Sequence, residues 1–179
     1  MKIKSISMPL SGEAIAGLSA GDEVLFSGTI YTARDQAHSL MFEAIRAGKE
    51  LPVDLKGQII YFCGPAKTPP GRVIGSCGPT TSKRMDKFSP ELLKAGLFGM
   101  IGKGSRNTEV VEAVRKYRGI YFLAYAGCGA LISRYVKQCR CVAYHHLGPE
   151  AVYKLEVRDL PLIVGIDSKG RDIYARLKI

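Results

Sequence analysis

The sequence predicts an α/β fold, and three patterns carry that prediction. Apolar runs rich in β-branched and aromatic residues fall at residues 23–31, 58–63 and 120–125. Between them, apolar side chains recur at helical spacing: Ala37, Leu40, Met41, Ala44 and Ile45, then Val110, Val111, Val114 and Tyr117. Both ends of the chain are strand-rich, as expected of a second sheet closing over the alternating middle.

Taken in order, residues 2–8 alternate polar and apolar side chains like a short strand, and Ser11 introduces a helical turn over 11–18. Gly21-Asp22 turns the chain into the strand at 23–31. Thr32 is expected to cap a helix from 33 to about 48, where Gly48 stops it. The run at 58–63 is apolar without alternation, the pattern of a strand buried on both faces. Three prolines and two glycines make 64–71 a loop, and residues 72–77 are expected to form the next strand. Ser89-Pro90-Glu91 reads as a helix start, with the hydroxyl capping and the helix ending near Gly96 or Gly99.

Residues 98–101 are short and apolar before Gly102-Lys103-Gly104, and a helix follows from about 107 to before Gly119. A small-residue helix is expected at 128–134 and a strand at 136–144. Residues 152–158 alternate, while 161–166 and 173–177 read as a hairpin around Asp167-Ser168-Lys169-Gly170. With no repeat, low-complexity tract or linker, residues 1–179 are expected to be one domain.

With 46% hydrophobic and 23% charged residues, the composition excludes a disordered chain. No apolar run reaches membrane-span length and no signal peptide is evident, so the expected setting is cytoplasmic, without a membrane partner. The five cysteines (Cys63, Cys77, Cys128, Cys139, Cys141) include no CxxC pair. Cys139 and Cys141 would share a strand face, which leaves a metal role open, but small buried thiols in a reducing cell are the favoured reading. His145 and His146, adjacent in a strand, would point to opposite faces, so they are not read as a ligand pair. The net charge of +10 calls for an anionic partner. Basic residues are spread along the chain and no RNA-binding signature occurs, which favours a small anion or an acidic protein over nucleic acid.

The segment on which a functional reading centres is Gly78-Pro79-Thr80-Thr81-Ser82-Lys83-Arg84-Met85-Asp86. Glycine lets the backbone approach a ligand closely, proline stiffens the turn, and hydroxyls beside cations form an anion cradle. Ser82 is expected to cap the helix that follows. Two further loops join Gly or Thr to a cation, Thr32-Ala33-Arg34-Asp35 and Gly102-Lys103-Gly104, and all three loops are expected to follow strands. Converging, Arg34, Arg84 and Lys103 would suit a small dicarboxylate, because guanidinium pairs bidentately with carboxylate and ammonium acts as a point charge. Asp35 and Asp86 are expected to position neighbouring arginines or cap helices, and His38 to orient a site carboxylate or remain structural. Glu150 is read as structural. The spacing around Lys103 excludes a P-loop.

The motif Gly78-Pro79-Thr80-Thr81-Ser82-x-Arg84-Met85-Asp86 closely resembles that of the class I, iron–sulfur-dependent fumarate hydratases and L-tartrate dehydratases, in their beta subunit or C-terminal domain. Residues 32–38, Gly64-Pro65, 101–104 and Leu147-Gly148-Pro149-Glu150-Ala151 support the resemblance in order, nearly end to end. It implies a swivelling β/β/α three-layer domain with a mixed sheet, in a hydro-lyase for which reversible hydration of fumarate to L-malate is the preferred reading and dehydration of L-tartrate the alternative. It further implies that Arg34, Arg84 and Lys103 bind substrate carboxylates, that Thr81 donates hydrogen bonds, and that Thr80 handles the C3 proton. The [4Fe-4S] cluster, acting as Lewis acid on the C2 hydroxyl, would be carried by an alpha subunit, with no metal bound by this chain. A hetero-oligomer with two copies of each subunit is the assembly implied. Two weaker readings remain: a non-enzymatic basic module that binds nucleic acid or an acidic protein, supported by charge alone, and a self-contained lyase, which lacks an electrophile for the leaving hydroxyl.

Overall fold

In the computed structural model, which describes residues 3–175, the apolar runs become strands of one mixed sheet. In chain order the elements are β1 (Lys4–Ser7), α1 (Gly12–Ala16), β2 (Glu23–Thr32), α2 (Asp35–Arg46), β3 (Ile59–Tyr61), α3 (Ser89–Lys94) and β4 (Gly99–Gly102). They continue with α4 (Thr108–Lys116), β5 (Ile120–Leu123), α5 (Gly129–Ile132), β6 (Val136–Ala143) and β7 (Val152–Ile166). Strand order is β1-β2-β3-β4-β5-β7-β6. The first five run parallel, whereas β7 is antiparallel to β5 and β6. An additional antiparallel pairing of β7 with β2 joins β2-β3-β4-β5-β7 into a ring.

This closure divides the hydrophobic residues into two clusters and gives a β/β/α layering. On the inner side, Ile59, Tyr61 and Cys63 meet Leu155, Val157, Leu160, Leu162 and Val164 of β7, together with Ile15 of α1 and Ile132 of α5. On the outer side, Ile60 and Phe62 meet Ala37 and Met41 of α2, Leu92 and Leu93 of α3, and Val110 and Val114 of α4. The unbroken apolar run around β3 follows directly, since alternate residues face different cores and both are dry.

Local chemistry sets several boundaries. The Ser11 hydroxyl accepts from the Ala14 N–H, and the Asn107 side chain accepts from the Val110 N–H, closing the starts of α1 and α4. Three other expected caps do not form. Thr32 lies at the end of β2, where its hydroxyl accepts from the Tyr153 N–H of β7. Ser82 is buried inside a 3-10 turn (Ser82–Met85), and Ser89 is a residue within α3 that donates to the Met85 carbonyl. Residues 72–77, expected to be a strand, are irregular. Their buried Ile74 and Cys77 plug the inner core from a loop, which imitates a strand's apolar content without ladder partners. The expected hairpin forms only as a tight reversal: the chain turns back at 167–170, closed by an Ile166–Asp172 antiparallel bridge and by the Ile173 N–H donating to the Gly165 carbonyl. Its first arm is the end of β7, and residues 173–175 form a turn, not a strand. Residues 176–177 of that expectation lie outside the described residues. Among the described residues, no helix is long and apolar enough to cross a membrane.

One charged side chain is built into the outer core. Arg106, whose side chain is 0% exposed, donates from Nε to Asp86 Oδ1 at 2.6 Å and from Nη2 to Ser89 Oγ at 2.7 Å. Its guanidinium carbon lies 5.1 Å from the Phe62 ring centre and 4.9 Å from that of Tyr121. Breaking such a pair from one side strands the other charge in a dry core, so Arg106→Ala should destabilise the fold by ~3–5 kcal/mol. Urea denaturation checks this, and a loss below ~1 kcal/mol, the range of a surface pair, would remove the buried pair from the fold's stability.

Candidate functional site

The parallel strands end on a common side, and the three motif loops gather there, each by a different route. Arg34 follows β2 directly, and Lys103 follows β4. The Thr80 segment, expected to follow a strand, is instead stitched to the sheet by hydrogen bonds. The Thr80 N–H donates to the Phe62 carbonyl at 2.8 Å, just past β3. The Lys103 N–H donates to Ser82 Oγ at 2.8 Å. This second stitch requires Gly102, where a Cβ would lie 2.2 Å from Ser82 Oγ.

Within that frame, Arg34, Asp35, Thr80 and Arg84 form a continuous chain of contacts. Arg84 Nη2 donates to Thr80 Oγ1 at 2.6 Å and lies 3.1 Å from Asp35 Oδ2. Arg34 Nε lies 3.7 Å from the same carboxylate oxygen, so Asp35 sits between the two guanidiniums. Neither approach is aligned as a hydrogen bond: Asp35 Oδ2 and Arg34 Nε are buried without hydrogen-bond partners. Their charges compensate each other while their bonding capacity is unused. Thr81 is exposed where the 3-10 turn begins, next to Thr80. The Lys103 backbone is tied to the same loop through its bond to Ser82, and its side chain is half-buried. A shallow depression of ≈ 620 Å³ opens here, lined by Asp35, Lys83, Arg84, Asp86, Lys87 and Asn107.

Asp86 and His38 serve the frame rather than this chain of contacts. Asp86 Oδ1 takes the Arg106 guanidinium and Oδ2 accepts from the Asn107 N–H at 2.9 Å, so the arginine it positions is not Arg84. His38 is buried, and its Nδ1–H donates to the Arg34 carbonyl at 3.0 Å with the ring edge-on to Phe62. Burial pushes its pKa down to about 4, which keeps the ring neutral near pH 7.

Two residues named in the sequence reading play parts it did not assign them. Glu150 places Oε1 3.3 Å from Arg34 Nη2 and accepts from the Gln36 N–H through Oε2 at 2.9 Å. It closes the start of α2, the task expected of Thr32. Ser82 is the second, acting as a strut where a cap was expected. Glu150 lies in the motif at 147–151, the one signal that marked it.

Comparison with known proteins bears on this arrangement. The sequence model of the family described as Fumarase C-terminus matches residues 2–177. The chain belongs to that family. Relatives include the anaerobic class I fumarate hydratase of Escherichia coli strain K12, 43% identical over 154 residues, covering 84% of this chain and 28% of that protein. Fumarate hydratase 2 of Leishmania major is 40% identical over 159 residues, covering 87% of this chain and 28% of that protein. A protein of Methanocaldococcus jannaschii, provisionally named L(+)-tartrate dehydratase subunit beta, is 40% identical over 171 residues, covering 92% of this chain and 88% of that protein. The chain therefore spans a little over a quarter of the fumarate hydratases and most of the tartrate dehydratase subunit.

The thiols of this family member do not assemble into a metal site. Among the described residues, no three His, Cys, Asp or Glu side chains are placed to hold a metal ion. Cys63 and Cys77 face each other in the inner core, where their mutual hydrogen bond and burial push the Cys63 thiol well up.

The depressed His38 pKa fixes a pH dependence. The unfolded ring takes a proton near pH 6.5 and the folded one only near about 4, so the unfolded state binds more protons between those values. Stability should be complete above pH 6.5 and decline as pH falls towards 4, by a total on the order of 3 kcal/mol. Denaturation of wild type and His38→Leu at pH 7.5 and 5 measures it: the wild type should lose stability that the variant keeps, and equal losses would clear His38.

Proposed function

We propose that this chain is the beta-type part of an iron–sulfur-dependent hydro-lyase, acting as a fumarate hydratase that interconverts fumarate and L-malate with a cluster-bearing alpha partner. The observation that carries the reading is the meeting of Arg34, Asp35, Thr80 and Arg84 at the ends of parallel strands, in a chain of this family.

In this reading Arg34, Arg84 and Lys103 receive the two carboxylates of a four-carbon diacid, with Thr81 adding a hydroxyl donor. Thr80 exchanges the C3 proton. An ordinary threonine hydroxyl is a poor base near pH 7, but Thr80 Oγ1 accepts a charge-assisted hydrogen bond from Arg84 Nη2 at 2.6 Å. That donor stabilises the alkoxide, the form able to take the proton. The bond from the Thr80 N–H to Phe62 fixes the backbone from which the hydroxyl projects. Asp35 sits between the two guanidiniums and sets their spacing.

Departure of the C2 hydroxyl needs an electrophile that the described residues do not provide, and their side chains do not fit a cluster. The [4Fe-4S] cluster therefore belongs, in this proposal, to the alpha partner. The complete enzyme contains two copies of each subunit and works in the cytoplasm.

A second reading, L-tartrate dehydratase, is favoured by one observation: the tartrate dehydratase relative is a subunit of about this chain's size. Both substrates are four-carbon hydroxy diacids, so the same cations serve either. Reconstitution with the alpha partner and assay with L-malate and L-tartrate separates the two.

Arg84→Ala should lower turnover of that complex by ~100-fold or more, as loss of a group aligned with the reacting atoms does. Its melting temperature should not move, because the Arg84 side chain is 46% exposed. Undiminished turnover would take Arg84 out of the site and the proposal with it.

A further inference from the structure

We infer that Glu150 is a positioning residue for Arg34, holding the guanidinium in the orientation that receives a substrate carboxylate; this rests on the role proposed above for Arg34. Its two oxygens do different tasks. Oε1 lies 3.3 Å from Arg34 Nη2, and Oε2 accepts from the Gln36 N–H at 2.9 Å. α2 begins after Arg34, which offers no side-chain cap of its own. A single carboxylate thus fixes the backbone just after Arg34 and one end of the Arg34 side chain, which restricts the guanidinium at both ends.

The segment that delivers Glu150 is anchored for this purpose. It is the connection between β6 and β7, two 3-10 turns within His145–Glu150 separated by a kink at Gly148 and entered through left-handed Tyr144 at φ 55°. The Tyr153 hydroxyl donates to the Gly148 carbonyl at 3.0 Å, and the Ala151 N–H donates to the same oxygen at 3.0 Å. Pro149 then forms one wall of a slot for Arg34, and Gly64 forms the other. A Cβ on Gly64 would lie 2.8 Å from each of Arg34 Cδ, Arg34 Nη1 and the Pro149 carbonyl oxygen. Arg34 Nε is buried without a hydrogen-bond partner, so the contact of Nη2 with Glu150 is what orients the group. A carboxylate that only neutralised Arg34 would not also need to cap the helix carrying it.

The test uses the complex of this chain with its cluster-bearing partner, assayed with L-malate, or with L-tartrate if malate is not turned over. Glu150→Gln keeps an oxygen for the Gln36 N–H and removes the charge; Glu150→Ala removes both. In Glu150→Gln the KM should rise on the order of 10-fold with kcat within ~3-fold and the melting temperature unchanged, as expected when a binding group is misaimed. Glu150→Asp, which keeps the charge, should recover part of the loss. A KM that falls would mean Glu150 competes with substrate for Arg34, and a lower melting temperature with unchanged KM would mean a structural role alone; either overturns the inference. Arg34→Lys, run alongside, separates the failures. If it is impaired while Glu150→Gln behaves as wild type, only the inference falls; if both behave as wild type, the role of Arg34 falls too.

Discussion

The guanidinium of Arg106 is closed inside the outer core between the helices and the sheet. An arginine shut away from water must have its charge matched and its donors occupied, or the core cannot close over it. Asp86 supplies the charge, Ser89 an acceptor, and the rings of Phe62 and Tyr121 two π faces. These partners come from the 3-10 turn's end, α3, the end of β3 and β5, so meeting the needs of one side chain fixes four pieces of chain against one another. Phe62 is also the residue whose carbonyl accepts from the Thr80 N–H. The demand for satisfaction in the core therefore reaches the proposed proton-handling residue in a single step.

That connection explains how a loop can hold functional groups without a strand beneath it. The residues before Thr80 are irregular, yet the loop is located by the Thr80–Phe62 and Lys103–Ser82 hydrogen bonds and by Ile74 and Cys77 packed into the inner core. Ser82 reaches Lys103 only because Gly102 has no side chain. Loops tied at several points to parallel strand ends combine the reach of a loop with the stiffness of a sheet. Glu150 extends the same logic from the opposite end of the chain.

How much was legible in the sequence follows from the range of each interaction. The strands at 23–31, 58–63 and 120–125 and the helices around Met41 and Val114 were readable, because periodicity is a local record of which faces are buried. The 72–77 expectation failed because Ile74 and Cys77 carry a strand's composition but have no ladder, and pairing is not written in a single segment. Three hydroxyls were assigned as caps, yet Thr32 bonds Tyr153 and Ser82 bonds Lys103, partners set by topology, while Ser89 turns back to Met85 and meets Arg106. Arg106 itself was invisible, since nothing local distinguishes a buried arginine from a solvated one. The motif cations and hydroxyls could be named from the resemblance; which carboxylates hold them apart could not.

Those carboxylates bear on the charge that the composition first raised. Two guanidiniums, Arg34 and Arg84, face two carboxylates, Asp35 and Glu150, so the cluster is close to neutral before any ligand arrives. A doubly negative ligand drawn only by this pair of arginines would meet as much repulsion as attraction. The attraction must come from cations around the pair, and the depression supplies them: Lys83 and Lys87 line it beside Arg84, and Lys103 follows β4 next to the same loop. Long-range attraction and short-range geometry are thus divided between different residues. In the function proposed above, the lysines set the potential that gathers an anion, while the paired arginines, held apart by Asp35 and aimed by Glu150, set the shape of anion that fits. On this argument part of the excess of ten positive charges is concentrated where the strands end, and the two acidic residues in the cluster exchange some affinity for orientation.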